Sequence, residues 1–144
     1  MNLSKRAVIA RLPTDAALAA GEEDIDMQFT ILAMESETDF ADRTDPERAD
    51  AYWASWAGYV AALNESGILQ AAAGLLPPST ATTVRLRGGS TDIQDGPFAD
   101  VKEHLGGVFI VDVPDLDAAL EWASRCPSAA TASVEVRPVL PPMG

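Results

Sequence analysis

Basic residues are scarce in this chain: 10 Lys and Arg stand against 22 Asp and Glu, for a net charge of −12. Nucleic-acid backbones and anionic membranes select basic surfaces, so the imbalance argues against both as partners. Cysteine is nearly absent as well. A single residue, Cys126, excludes an intramolecular disulfide and any metal site built from several thiolates. It lies beside Pro127 at the expected end of an apolar helix with no base nearby in sequence, and reads as a packed or semi-exposed structural thiol. The one histidine, His104, cannot hold a metal without partners, so no metal is expected. No apolar run approaches the ~20 residues that a membrane span needs. The stretch Ala7-Val8-Ile9-Ala10 is too short for a signal-peptide core and is broken by Arg11, which makes the cytoplasm the expected location. Gly88-Gly89 and Gly106-Gly107 lack the spacing of a phosphate loop, and no Gly-x-Ser-x-Gly elbow occurs. No cofactor is implied.

What is present fits one domain, since 144 residues are enough to bury a real core. Residues 1–26 read as an extension that mixes Pro13, an Ala-rich piece at Ala16–Ala20 and the acidic run Glu22-Glu23-Asp24-Asp26. Two explanations stay open: an arm that packs on the domain, or a start placed too early with Met27 the natural initiator. Residues 27–144 form the domain proper.

From Met27 the periodicity is that of a strand, with Met27, Phe29, Ile31 and Ala33 on one face and Gln28, Thr30, Leu32 and Met34 on the other. Apolar residues on both faces predict a central strand. The acidic stretch Glu35, Glu37, Asp39, Asp42, Asp45, Glu47 and Asp50, answered only by Arg43 and Arg48, reads as a solvated loop and helix start. Thr44 or Asp45 is the expected N-cap, with Pro46 in the first turn. Ala49, Trp53, Trp56, Val60 and Leu63 recur at helical spacing and place both tryptophans in the core; Gly67 stops the helix. A second strand is expected over 68–76. Thr82 to Arg87 follows as a third, with Val84 and Leu86 inward and Thr83, Arg85 and Arg87 outward, and Gly88-Gly89 turns it into a hairpin arm at 91–94. Residues 108–113 make a strand apolar on both faces, Asp115 caps a helix with Leu116, Ala119, Leu120 and Ala123 on one face, and 133–139 is the last strand.

This order predicts an α+β domain: a ferredoxin-like βαββαβ plan with an inserted β-hairpin, both helices on one face of an antiparallel sheet. The other face, apolar along 27–34 and 108–113, needs a cover, and a second copy would supply it. The expected partner is therefore another copy of the chain, in a homodimer.

The densest chemistry lies at Asp95-Gly96-Pro97-Phe98, followed by Ala99-Asp100-Val101-Lys102-Glu103. Asp-Gly and Gly-Pro are turn signals, and the charged residues follow at once. Asp95, partly buried by Phe98 and a dimer mate, is a candidate general acid or base. Lys102, Glu103 and Arg85 are candidate ligand-binding residues, with Lys102 and Arg85 suited to hold a small anionic ligand. Turn hydrogen bonding alone also explains the Asp, and Lys102 with Glu103 also fits an ion pair across an interface. Two function classes remain open: a ligand-binding or regulatory dimer, and a small acid–base enzyme (an isomerase or lyase) working in a cleft near Asp95 and the dimer interface.

Asp95-Gly96-Pro97-Phe98-Ala99 with Lys102-Glu103 and Leu105-Gly106-Gly107 resembles the signature of the YCII-related, or DGPF-domain, proteins. The likeness extends to Ala81–Arg85, Asp115–Asp117, Ala119–Ala123, Cys126-Pro127 and Glu135–Pro138, and so covers about Met27 to Val139. The resemblance implies a dimeric α+β barrel of ferredoxin-like protomers and no established reaction. It also implies a link to sigma-factor regulation, since many members occur near extracytoplasmic-function sigma factors. Asp100 stands where the family usually carries Glu. His104 stands where His is uncommon, and the His–Asp pair proposed for the wider group is not carried over to it.

Overall fold

The computed structural model describes residues 27–97, 99 and 101–142. The expected extension at 1–26 lies outside the described residues, as do Phe98 and Asp100. Strand β1 (Met27–Ser36) alternates as its sequence demands, with Phe29, Ile31 and Ala33 fully buried. A short helix α1 (Glu37–Asp42) follows directly. It begins in a capping box: Ser36 Oγ accepts from the Asp39 amide at 3.2 Å, and Asp39 Oδ2 accepts from the Ser36 amide at 2.9 Å. Helix α2 (Ala49–Ser66) ends at Gly67, whose φ of 76° is the left-handed value that glycine adopts without strain. Then come β2 (Leu69–Gly74), β3 (Thr82–Arg87) and β4 (Ser90–Asp95). The chain closes with β5 (Glu103–Val113), α3 (Leu116–Ser124), α4 (Ser128–Thr131) and β6 (Ser133–Pro138). Asp115 caps α3 by accepting from the Ala118 amide at 2.9 Å.

The protein is mixed α+β. Four strands form one sheet in the order β2-β5-β1-β6, every neighbouring pair antiparallel, and β3 with β4 forms a separate two-stranded sheet. The stripe Phe29, Ile31, Phe109 and Val111 packs with Tyr59 and Leu63 of α2 and with Leu116, Ala119 and Ala123 of α3. The opposite face carries Thr30, Leu32, Met34, Val108 and Ile110, all half-buried. A break in register sits between Ala33, which pairs with Gly107, and Met34, which pairs with Leu105. Gly106 is thus the extra residue of a β-bulge.

Four expectations are corrected. The acidic stretch is not wholly solvated: Glu35 is 2% exposed and Asp39 6%. Glu35 extends the inward stripe of β1, and Asp39 belongs to the capping box, so both have partners that compensate burial. Helix α2 starts at Ala49 without a side-chain cap, because Asp45 is used in the preceding turn, where its Oδ1 accepts from the Glu47 amide at 2.8 Å. Val84 and Leu86 do not face inward but are 62% and 74% exposed, since the hairpin pairs with itself and not with the four-stranded sheet. Trp53 is 51% exposed, while Trp56 is half-buried against the core, because Trp56 stacks on Phe109 and Trp53 stands outside the core cluster.

Candidate functional site

Small residues open a space beside α2. On β2, Ala72 pairs with Phe109 and Gly74 with Gly107, so both stand on the helix-facing side of the sheet. A sheet edge this thin cannot fill the volume beneath the tryptophans of α2, and a cavity of ≈ 360 Å³ remains there. Its sheet-side floor is Ala72, Gly74, Gly107 and Phe109. Its helix-side wall is Trp53, Trp56 and Val60, and Leu75 and Leu76 border it. Trp56 stacks on Phe109 with centroids 6.0 Å apart, and Tyr52 meets Trp53 edge-on at 4.8 Å.

A polar cluster closes one end. Glu35 stands at the last inward position of β1, beside the bulge. Arg43 Nη2 donates to Glu35 Oε2 at 2.5 Å, and the Tyr52 hydroxyl donates to Glu35 Oε1. Arg43 also donates from Nε to the Tyr52 oxygen at 2.9 Å, from Nη1 to the Leu75 carbonyl at 2.5 Å and from Nη2 to the Gly106 carbonyl at 3.3 Å. Its guanidinium lies against the rings of Phe40, Tyr52 and Trp53 at 4.7, 5.7 and 5.8 Å. Trp53 Nε1 donates to the Arg43 carbonyl at 3.1 Å and ties the residue down from the other side. Burial, reinforced by the bond to Glu35, pushes the Tyr52 phenol well above its ordinary value, so it stays protonated and donating. For Arg43, burial acts to lower the pKa, but bonds to Tyr52 and Glu35 outweigh it and the net shift is upward.

Gly106 makes this cluster sterically feasible. A Cβ at that position would stand 1.8 Å from Glu35 Oε2 and 2.7 Å from its Cδ. Only a residue without a side chain admits the carboxylate. A second, wider recess of ≈ 630 Å³ lies on the other side of Glu35, lined by Asp39, Asp42, Arg48, Arg125 and Ser128 among others. Six of its lining residues are charged against two in the α2–β2 cavity, which leaves the latter as the better small-molecule site.

The residues singled out from the sequence lie elsewhere. Asp95 ends β4 and is exposed. It pairs with Thr82, whereas Arg85 pairs with Asp92, so alternation sets Asp95 and Arg85 on opposite faces of the hairpin. Arg85 Nη1 lies 3.5 Å from Gln94 Oε1. Lys102 is exposed, and Glu103 accepts from Ser133 Oγ at 2.5 Å across to β6. The turn itself is bonded: the Gly96 amide donates to the Ala81 carbonyl at 2.7 Å, and Thr83 Oγ1 donates to the Gly96 carbonyl at 2.9 Å, with Gly96 at φ 96°. None of Asp95, Lys102, Glu103 and Arg85 lines the α2–β2 cavity. Among the described residues no group of three or more His, Cys, Asp and Glu side chains is gathered for a metal ion. No described helix is long and apolar enough to cross a membrane.

Sheet order and site together define a small α+β protein with a mostly apolar cavity ending in a buried, charge-compensated cluster. The family model of the YCII-related domain matches residues 27–142, and the chain belongs to that family. A protein of Rhizobium meliloti (strain 1021), described only as uncharacterized, is 43% identical over 77 residues. That match takes in 52% of this chain and 62% of the relative, so the chain spans less than two thirds of that protein's length.

Proposed function

We propose that this YCII-related chain is a cytoplasmic, dimeric ligand-binding protein whose ligand occupies the cavity between α2 and β2. The observation that carries the reading is the Glu35–Arg43–Tyr52 cluster at the end of an apolar cavity. Aromatic walls with a few fixed polar groups at one end are the usual make-up of small-molecule sites. Both carboxylate oxygens of Glu35 are engaged and Arg43 is bonded to four partners, an arrangement suited to rigid recognition. The strand order supports a ferredoxin-like protomer, and the half-buried apolar face of the sheet supports a homodimer of the α+β-barrel kind. The test is a thermal-shift screen of small aromatic compounds on the wild-type chain and on Ala72→Leu. The larger side chain fills the floor of the cavity from an exposed strand, so hits should vanish in the variant while the unfolding midpoint stays near wild type. Hits that survive Ala72→Leu would place the ligand elsewhere.

A second reading keeps Asp95 as a general acid or base in a cleft that a second copy completes, with Lys102 near an anionic substrate; Arg85, on the opposite face of the hairpin, and Glu103, bonded to Ser133, stand outside it. The observation favouring it is that Asp95 shares a hairpin face with Val84, Leu86 and Ile93, which are 62%, 74% and 65% exposed. A partner seated there would desolvate the carboxylate. Asp95→Asn separates the two readings, since it removes proton transfer and leaves the α2–β2 cavity untouched.

A further inference from the structure

We infer that the α2–β2 cavity selects an uncharged, flat, aromatic ligand bearing a hydrogen-bond donor at one end, and rejects both the anionic and the cationic analogue. The inference rests on the ligand-binding reading above. Its first ground is charge. The closed end holds one carboxylate and one guanidinium in direct contact, 2% and 10% exposed, so the site is already neutral. A ligand carboxylate there would face Glu35 in a low-dielectric setting, and to reach Arg43 it would have to displace bonds to Glu35, Leu75 or Gly106. A ligand ammonium would sit beside the Arg43 cation at the same cost. The net charge of −12 adds a long-range bias against anions.

The second ground is hydrogen bonding. An ionised carboxylate accepts at about four lone-pair positions. Glu35 takes one bond from Arg43 and one from Tyr52, and Arg43 uses four of its five N–H groups, so this end accepts from a ligand donor and has one N–H left to give back, a match for a hydroxyl or an amide. The third ground is shape. The floor is made of Ala72, Gly74 and Gly107, and the helix side carries Trp53 and Trp56, the latter already stacked on Phe109. A small-residue floor under an aromatic wall favours a planar ring against that wall.

The experiment uses three ligands of equal shape on the full chain by isothermal titration: 2-naphthalenemethanol, 2-naphthoate and 2-naphthylmethylammonium. The alcohol is expected to bind at least about tenfold more tightly than either ion, a difference of roughly 1.4 kcal/mol. Glu35→Gln leaves the Arg43 cation uncompensated, so in that variant the carboxylate should overtake the alcohol. The wild-type series decides the matter even where the variant does not fold. Equal affinities of alcohol and carboxylate would overturn the charge selection and leave the cavity standing as a ligand site. Silence of all three would remove both, and binding that survives Ala72→Leu would do the same by moving the site.

Discussion

Replacing Gly106 with Ala should disrupt the buried cluster without touching any of its side chains. The added Cβ would lie 1.8, 2.7 and 2.9 Å from Oε2, Cδ and Cγ of Glu35, far inside contact distance. The carboxylate must therefore swing away. Glu35 is 2% exposed in its bonded position, and leaving that position means breaking its bonds to Arg43 and Tyr52. Breaking one side of a buried ion pair costs about 3–5 kcal/mol, because the partner charge remains buried and uncompensated. That is a large part of a typical stability of roughly 5–15 kcal/mol, so the variant should stay folded but with a markedly lower urea midpoint at unchanged m. A double-mutant cycle sharpens the assay. In Glu35→Ala/Gly106→Ala the clash has no target, so the second substitution should cost at least about 2 kcal/mol less than it does alone. A loss under about 1 kcal/mol for Gly106→Ala in the wild-type background, or strict additivity in the cycle, would refute the reasoning.

Other expectations follow from the same geometry. Burial pushes the phenols of both Tyr52 and Tyr59 above their ordinary value of 10.0, so the folded chain holds protons there that the unfolded chain releases, and stability should fall as pH rises past about 10. Each tyrosine contributes a slope of up to about 1.4 kcal/mol per pH unit, and the Cys126 thiol, also raised by burial, adds a comparable share, so Tyr52→Phe should remove about a third of the alkaline slope in pH-dependent denaturation, and an unchanged slope would contradict the burial of its phenol. Cys126 is 2% exposed, burial raises its pKa despite the bonds to Ser128, and it should resist thiol reagents until the protein unfolds; rapid labelling of the native chain would contradict this. Leu86→Lys/Ile93→Lys should weaken the dimer of the second reading, whose partner seats on this hairpin face, while leaving the monomer folded, since both side chains are more than half exposed; an unchanged sedimentation coefficient would remove the hairpin from the interface.

Much of the scaffold is legible along the chain because local rules decide it. Phe29, Ile31 and Ala33 alternate, Gly67 stops α2, Asp115 caps α3 and Gly88-Gly89 turn the hairpin at φ 54° and 81°, each through interactions within a few residues. The hairpin's facing is not local. Val84 and Leu86 alternate like core residues, yet nothing in their pattern says whether the covering surface lies in the same chain. The cavity cluster escaped for a related reason. Glu35 and Arg43 meet across α1, and Gly106 reaches them from a strand 63 residues beyond Arg43. The available signal was Glu35 itself, a carboxylate at the next inward position of an apolar stripe that demands a buried cation, in a stretch whose only basic residues are Arg43 and Arg48. Ser36-x-x-Asp39 was a second signal, a capping box with Asp in place of Glu. The sigma-factor association came with the family resemblance and has no geometric counterpart among the described residues.

The most direct measurement of the central claim is fluorine NMR of the chain labelled with 5-fluorotryptophan and titrated with 2-naphthalenemethanol. The sequence holds three tryptophans, of which Trp53 and Trp56 line the cavity while Trp122 sits on α3 beneath the Arg125 guanidinium, 4.2 Å from its ring. The Trp53 and Trp56 resonances should move together and saturably, Trp122 should stay still, and Ala72→Leu should abolish the movement. A saturable shift of Trp122 with Trp53 and Trp56 unmoved would contradict the claim.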